Sequence, residues 1–144
     1  MIIDFDRDSV CMADDAFVPH NEARVLVDTM LASDLLKDSV TYVPKMRNVV
    51  WAILSPNNSK KVIGYVITDN QGNAKVESNV GDATLKDLFN KDLQYVSIIC
   101  KYYHQSSFSW QDGGKEKYRD CKNLLEKVKS YYVVSDGVLT PQEI

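Results

Sequence analysis

Val49-Val50-Trp51-Ala52-Ile53-Leu54 and Val62-Ile63-Gly64-Tyr65-Val66-Ile67 are the densest apolar, β-branched and aromatic runs in the chain, and Ser55-Pro56-Asn57-Asn58-Ser59-Lys60-Lys61 joins them. The joining segment is made of turn formers and charges and is too short for a crossover helix. Parallel strands need about a dozen connecting residues or more, so the two runs predict an antiparallel hairpin. Neither run alternates cleanly with polar residues, so both strands are expected to be covered on two faces. The hairpin is therefore the expected spine of a sheet.

Upstream, Met1 to Phe5 reads as a short strand and Asp6 to His20 as an extended, Asp-rich loop. Asn21 suits a helix N-cap, and Val25, Leu26, Met30, Leu31, Leu35 and Leu36 recur at helical spacing, which predicts a helix over Glu22 to Lys37. Asp38 to Asn48, with Pro44, reads as a loop. Downstream, Ala74 to Glu77 alternates like an edge strand, Asp82 is placed to cap a short helix holding Leu85, Leu88 and Phe89, and Tyr95 to Tyr103 is strand-prone. Tyr118, Cys121, Leu124, Leu125 and Val128 form one stripe, predicting an amphipathic helix over Lys115 to Lys129. Tyr131 to Val134 can add a last strand, and residues 136–144 read as a loose tail. The fold class expected is α+β: one domain over 1–144, an antiparallel or mixed sheet on the central hairpin, and two main amphipathic helices packed against it.

The chain has 144 residues, enough to bury about two-thirds of its unfolded surface. With 44% hydrophobic and 26% charged residues it lacks the charge excess of a disordered chain. No apolar run approaches the roughly 18 residues of a membrane span, and Asp4, Asp6 and Asp8 stand where a signal peptide carries basic residues. Cys11, Cys100 and Cys121 form neither a soft-metal spacing nor an even disulfide set, so a cytoplasmic setting is expected. The net charge of −3 is unevenly spread. Residues 1–40 hold nine acids against three bases, −6, and residues 41–144 hold eleven acids against fourteen bases, +3. An acidic N-terminal quarter points to a basic protein partner and away from nucleic acid, whose phosphates need clustered Lys and Arg.

The sharpest local pattern is Ile2-Ile3-Asp4-Phe5-Asp6-Arg7-Asp8, which in an extended chain projects three carboxylates from one side. A hard cation would relieve their repulsion. Against the EF-hand calcium loop, Asp4, Asp6, Asp8 and Asp15 fit four ligand positions, but Ser9 replaces the required Gly and Met12 a polar ligand position. The same residues resemble the first motif of haloacid dehalogenase-type phosphatases. That resemblance implies Asp4 as nucleophile, Asp6 as acid and base, Ser55 as a phosphate-binding residue, Asp136 as a late acid, and Mg²⁺. It also implies a parallel sheet with a helix between the first and second motif strands and more βα units beyond, and the step from Ser55 to Val62 is too short for any such crossover.

Other constellations are thinner. Only His20 and His104 are available to activate a Cys or Ser, and no signature places them there. Gly113-Gly114-Lys115 precedes a predicted helix but lacks the earlier Gly and the following Ser or Thr of a P-loop. In the loop His104 to Gly114, Phe108 and Trp110 either fold back over the sheet or anchor a partner; with Lys101, Lys117 and Arg119 they also offer a stacking and charge pattern for single-stranded nucleic acid.

By elimination the expected function is a non-enzymatic protein-binding module that needs no cofactor. Its size and charge match small inhibitors and toxin-neutralising immunity proteins. The expected partner-binding residues are Asp8, Asp14, Asp15, Asp28, Asp34, Phe108 and Trp110. The rival is a Mg²⁺-dependent phosphoryl-transfer enzyme using Asp4 and Asp6.

Overall fold

The computed structural model describes residues 1–10, 21–27, 29–55, 61–89, 95–108, 115–135 and 138–141. The two apolar runs form β3 (Val49–Ser55) and β4 (Lys61–Thr68), paired antiparallel from Val49↔Thr68 to Ser55↔Lys61. They sit in a mixed sheet whose body runs β2 (Glu22–Val25), β1 (Ile2–Arg7), β6 (Tyr95–His104), β3, β4, β5 (Ala74–Ser78). The parallel member is the β1–β6 pair. A hairpin of β7 (Tyr132–Ser135) and β8 (Val138–Pro141) joins β4 through Val62↔Leu139.

Both faces of β3 and β4 are buried, which is why neither strand alternates in sequence. On one face Trp51, Ile53, Ile63 and Val66 pack with Leu35 and Leu36 of α1 (Ala32–Tyr42) and with Leu85 of α2 (Leu85–Leu88). On the other, Val50, Ala52, Leu54, Val62, Tyr65 and Ile67 pack with Leu124 and Val128 of α3 (Cys121–Ser130). The register slips between Ile53 and Leu54 as Ile53 pairs Gly64 and Leu54 pairs Val62. Ile63 is thus the extra residue of a bulge. Gly64 opposite Ile53 lets the helix approach, since a Cβ there would lie 2.7 Å from Leu36 Cδ1 and 2.6 Å from the Glu77 carbonyl oxygen.

Several elements depart from the sequence expectation. The stretch expected as one helix over Glu22 to Lys37 splits into β2 and α1, because β1 offers Glu22 to Val25 a strand to pair with. The helix begins about ten residues later, where the Asp34 carboxylate accepts the Leu31 N–H at 3.1 Å, and its C-cap Val43 directly precedes Pro44. It therefore occupies part of the expected loop Asp38 to Asn48. The short helix starts after Thr84 rather than Asp82: the Thr84 hydroxyl accepts the Asp87 N–H (3.1 Å) and the Asp87 carboxylate accepts the Thr84 N–H (3.2 Å). Lys115 to Lys129 divides into a 3₁₀ turn, Lys115–Tyr118, and α3, because the Asp120 carboxylate accepts the Lys122 N–H (3.0 Å) and restarts the helix. Part of the expected loose tail, Val138–Pro141, is strand β8.

Candidate protein-binding face

Alternation along β1 sorts its side chains. Ile3 and Phe5 are fully buried on the α1 side, where Tyr42 stacks on Phe5 at 5.1 Å and the Arg24 guanidinium lies over its ring at 5.5 Å. Ile2, Asp4 and Asp6 therefore point to the opposite face, the one α3 covers over β3 and β4. Among the described residues that cover does not reach Val25, Ile2 and Tyr95. Val25, Ile2 and Tyr95 are registered side by side across three strands and are 79%, 41% and 50% exposed. The next row on this face is Ala23, Asp4 and Ser97, and the one after it pairs Asp6 with Ile99. An apolar row thus borders two rows that carry carboxylates. The Tyr95 hydroxyl bonds to the Asp4 carboxylate, an interaction that pushes the phenol above its ordinary range.

Of the residues expected at a partner site, the three that the structure describes, Asp8, Asp34 and Phe108, lie apart. Asp8 serves the sheet itself: β1 ends at Arg7, and the Asp8 carboxylate accepts the Tyr102 N–H (3.0 Å) that a longer β1 would have paired, with Lys101 Nζ at 3.4 Å. Its own N–H donates to the Cys100 carbonyl at 3.1 Å. Asp34 caps α1 on the other side of the sheet. Phe108, 3% exposed, lies in the core between Tyr103 and Tyr131 (ring centroids 5.8 and 4.9 Å), so the loop aromatic folds inward. Asp14, Asp15, Asp28 and Trp110 lie outside the described residues.

The three carboxylates of β1 do not converge. Asp4 and Asp6 share the open face and Asp8 is tied to the β6 backbone, and among the described residues no group of three His, Cys, Asp or Glu side chains could hold a metal ion. β3 runs antiparallel to β6, which is parallel to β1, so the strand ending in Ser55 opposes β1 and is separated from it by β6. This is not the parallel neighbourhood that the phosphatase resemblance implies. Burial pushes the thiols of Cys100 and Cys121 upward, away from the thiolate that nucleophilic chemistry needs. A surface depression of about 550 Å³ beside the start of α3 is lined by Asn48, Asp69, Asn70, Arg119, Asp120 and Cys121. Its two carboxylates are occupied by their own turns: Asp69 accepts the N–H groups of Gln71 and Asn73, and Asp120 that of Lys122.

No known protein family, curated protein or solved structure matches this chain. Its function has to be argued from its own surface. Sequence reasoning missed Ile2, Val25 and Tyr95. The signal for Ile2 was present in the alternation Ile2-Ile3-Asp4-Phe5-Asp6, which already separates an inner from an outer set. Val25 was hidden because it also fits a helical stripe, and Tyr95 because the partner strand of β6 was not known.

Proposed function

We propose that the chain is a non-enzymatic protein-binding module that holds a basic protein partner on the open face of β2, β1 and β6. One observation carries the reading: an exposed apolar row, Val25-Ile2-Tyr95, lies beside the outward carboxylates Asp4 and Asp6 on a sheet face without a covering helix among the described residues. Exposed apolar groups bordered by polar ones favour a partner of matching shape, and an exposed Tyr is a frequent anchor. The carboxylates add charge complementarity, which raises the association rate and selects for basic surfaces. The −6 of residues 1–40 favours a basic partner as a property of the sequence, whichever face it meets. An inhibitor or immunity-type role agrees with the size and charge of the chain. The phosphoryl-transfer alternative gains no support from the strand directions or from the separated carboxylates.

The test is affinity capture from native lysate with wild type, Tyr95→Ala and Asp4→Lys in parallel. A partner of high isoelectric point is expected on wild type and depleted on both variants, with a loss of about 1 to 2 kcal/mol in binding for Tyr95→Ala when remeasured with the purified partner. Equal capture by all three proteins would remove this face from the account.

A further inference from the structure

We infer that the partner engages by adding an extended, basic strand to the outer edge of β2; this rests on the reading that the β2–β1–β6 end is the docking face. β2 ends the sheet, with β1 on one side and no strand on the other among the described residues. The Leu26 N–H donates to the Met1 carbonyl at 3.0 Å, which fixes the phase of the ladder. In an antiparallel pair the inward-bonding residues alternate, so Arg24 and Glu22 bond toward β1 while the N–H and C=O of Ala23 and Val25 point outward. The 79% exposure of Val25 decides that this edge is open, because a residue sandwiched between two paired strands could not remain that accessible. Two outward donors and two outward acceptors in a row match the edge of one incoming strand.

The neighbouring side chains specify what that strand carries. A residue opposite Val25 extends the apolar row of Val25, Ile2 and Tyr95, so it is apolar. The residue two positions away on the same face stands opposite Ala23, whose small side chain leaves the way clear to Asp4 on β1. Two strand spacings separate it from Asp4, about 10 Å, a gap that an extended Lys or Arg side chain spans toward the carboxylate. The favoured occupant is therefore a segment alternating basic and apolar residues. A second copy of this chain fits less well, since β2-to-β2 pairing would place Ala23 or Val25, neither of them basic, opposite Ala23 on this face.

The probe is a synthetic eight-residue peptide alternating lysine and valine, with two further versions in which every second backbone N–H is methylated, one version for each phase. Binding is followed by calorimetry, and amide hydrogen exchange is read at Ala23 and Val25. The unmethylated peptide is expected to bind and to slow exchange at both amides, and one methylation phase, the one facing β2, is expected to weaken binding by about tenfold or more, the scale of two lost hydrogen bonds. Three outcomes overturn the inference: no binding by any version, equal binding by all three, or binding without protection of Ala23 and Val25. A dimer of the free protein with both amides already protected would also overturn it, in favour of self-pairing. Binding that ignores methylation but is lost in Asp4→Lys removes strand addition and leaves the docking face standing, whereas capture of the natural partner unchanged by Tyr95→Ala removes the face itself.

Discussion

At the scale of single residues, Gly64 is held by what its missing side chain permits. The bulge at Ile63 directs Gly64 toward α1, and Leu36 occupies the space a Cβ would need. Gly64→Ala should cost about 1 to 3 kcal/mol through overpacking, and Leu36→Ala should lessen that cost in the double variant, read as a positive coupling in a denaturation cycle. Additive losses would mean that the Glu77 carbonyl, not Leu36, is the obstacle. The phenols make a second residue-level prediction. Tyr103 and Tyr132 share a 2.9 Å hydrogen bond between their hydroxyls, and burial raises both above the ordinary tyrosine range. Since the unfolded phenols ionise near pH 10 and the folded ones resist ionisation, their contribution is complete below that pH and is lost as pH rises beyond it. Tyr132→Phe should flatten the fall of stability between about pH 10 and 11 relative to wild type; an identical alkaline profile would assign the loss to other groups. Burial of this kind is only partly legible in sequence, where Tyr132 followed the last amphipathic helix without a sign of its partner, while the inward and outward sets of β1 could be read from alternation alone.

The elements differ in how far local sequence determined them. β3 and β4 were legible because two dense apolar runs with a seven-residue turn segment between them admit few alternatives. The strand and helix over 22–42 were not, because Val25, Leu26, Met30, Leu35 and Leu36 satisfy a helical period. What decided the outcome is non-local: β1 supplies a backbone ladder to Glu22–Val25, while Leu26 and Met30 still reach the α1-side core. Tertiary pairing outweighs a helical preference worth only tenths of a kcal/mol per residue. The short helix α2 shows the opposite case, where capping chemistry sets the boundary. Thr84 and Asp87 bond each other's backbone N–H reciprocally, and Asp87 is held below the ordinary carboxylate range by its bond to the Thr84 N–H. Thr84→Ala should cost about 0.5 to 2 kcal/mol; the separate contribution of the Asp87 carboxylate is complete above its ordinary value of 3.8 and is lost as pH falls through its lower folded value. A thermal shift indistinguishable from zero at neutral pH would show that Leu85 and Phe89, both buried, hold α2 without the cap.

Across the whole molecule, the order of strands turns a charge split along the chain into one in space. Asp4, Asp6, Asp8 and Glu22, against Arg7 and Arg24, sit on or beside β1 and β2 at one end of the sheet, whereas α3, with Lys122, Lys127 and Lys129 against Glu126, lies over β3 and β4. Under the proposed function such a field would steer a basic partner toward β2, β1 and β6, and screening by salt weakens it within a Debye length of about 8 Å at physiological ionic strength. With the purified partner, Asp4→Lys and Asp6→Lys should therefore lower the association rate and flatten its dependence on salt. Lys117→Glu with Arg119→Glu, exposed at the opposite end, should leave the rate unchanged or raise it. The dissociation rate separates field from contact: it should rise in Tyr95→Ala and in Asp4→Lys, each of which removes a group that touches the partner, and change little in Asp6→Lys. Should Lys117→Glu with Arg119→Glu instead abolish binding while Asp4→Lys and Asp6→Lys leave it intact, the working surface is the α3 end. The acidic quarter would then face away from the partner, and an acidic protein or a nucleic acid would replace the basic one.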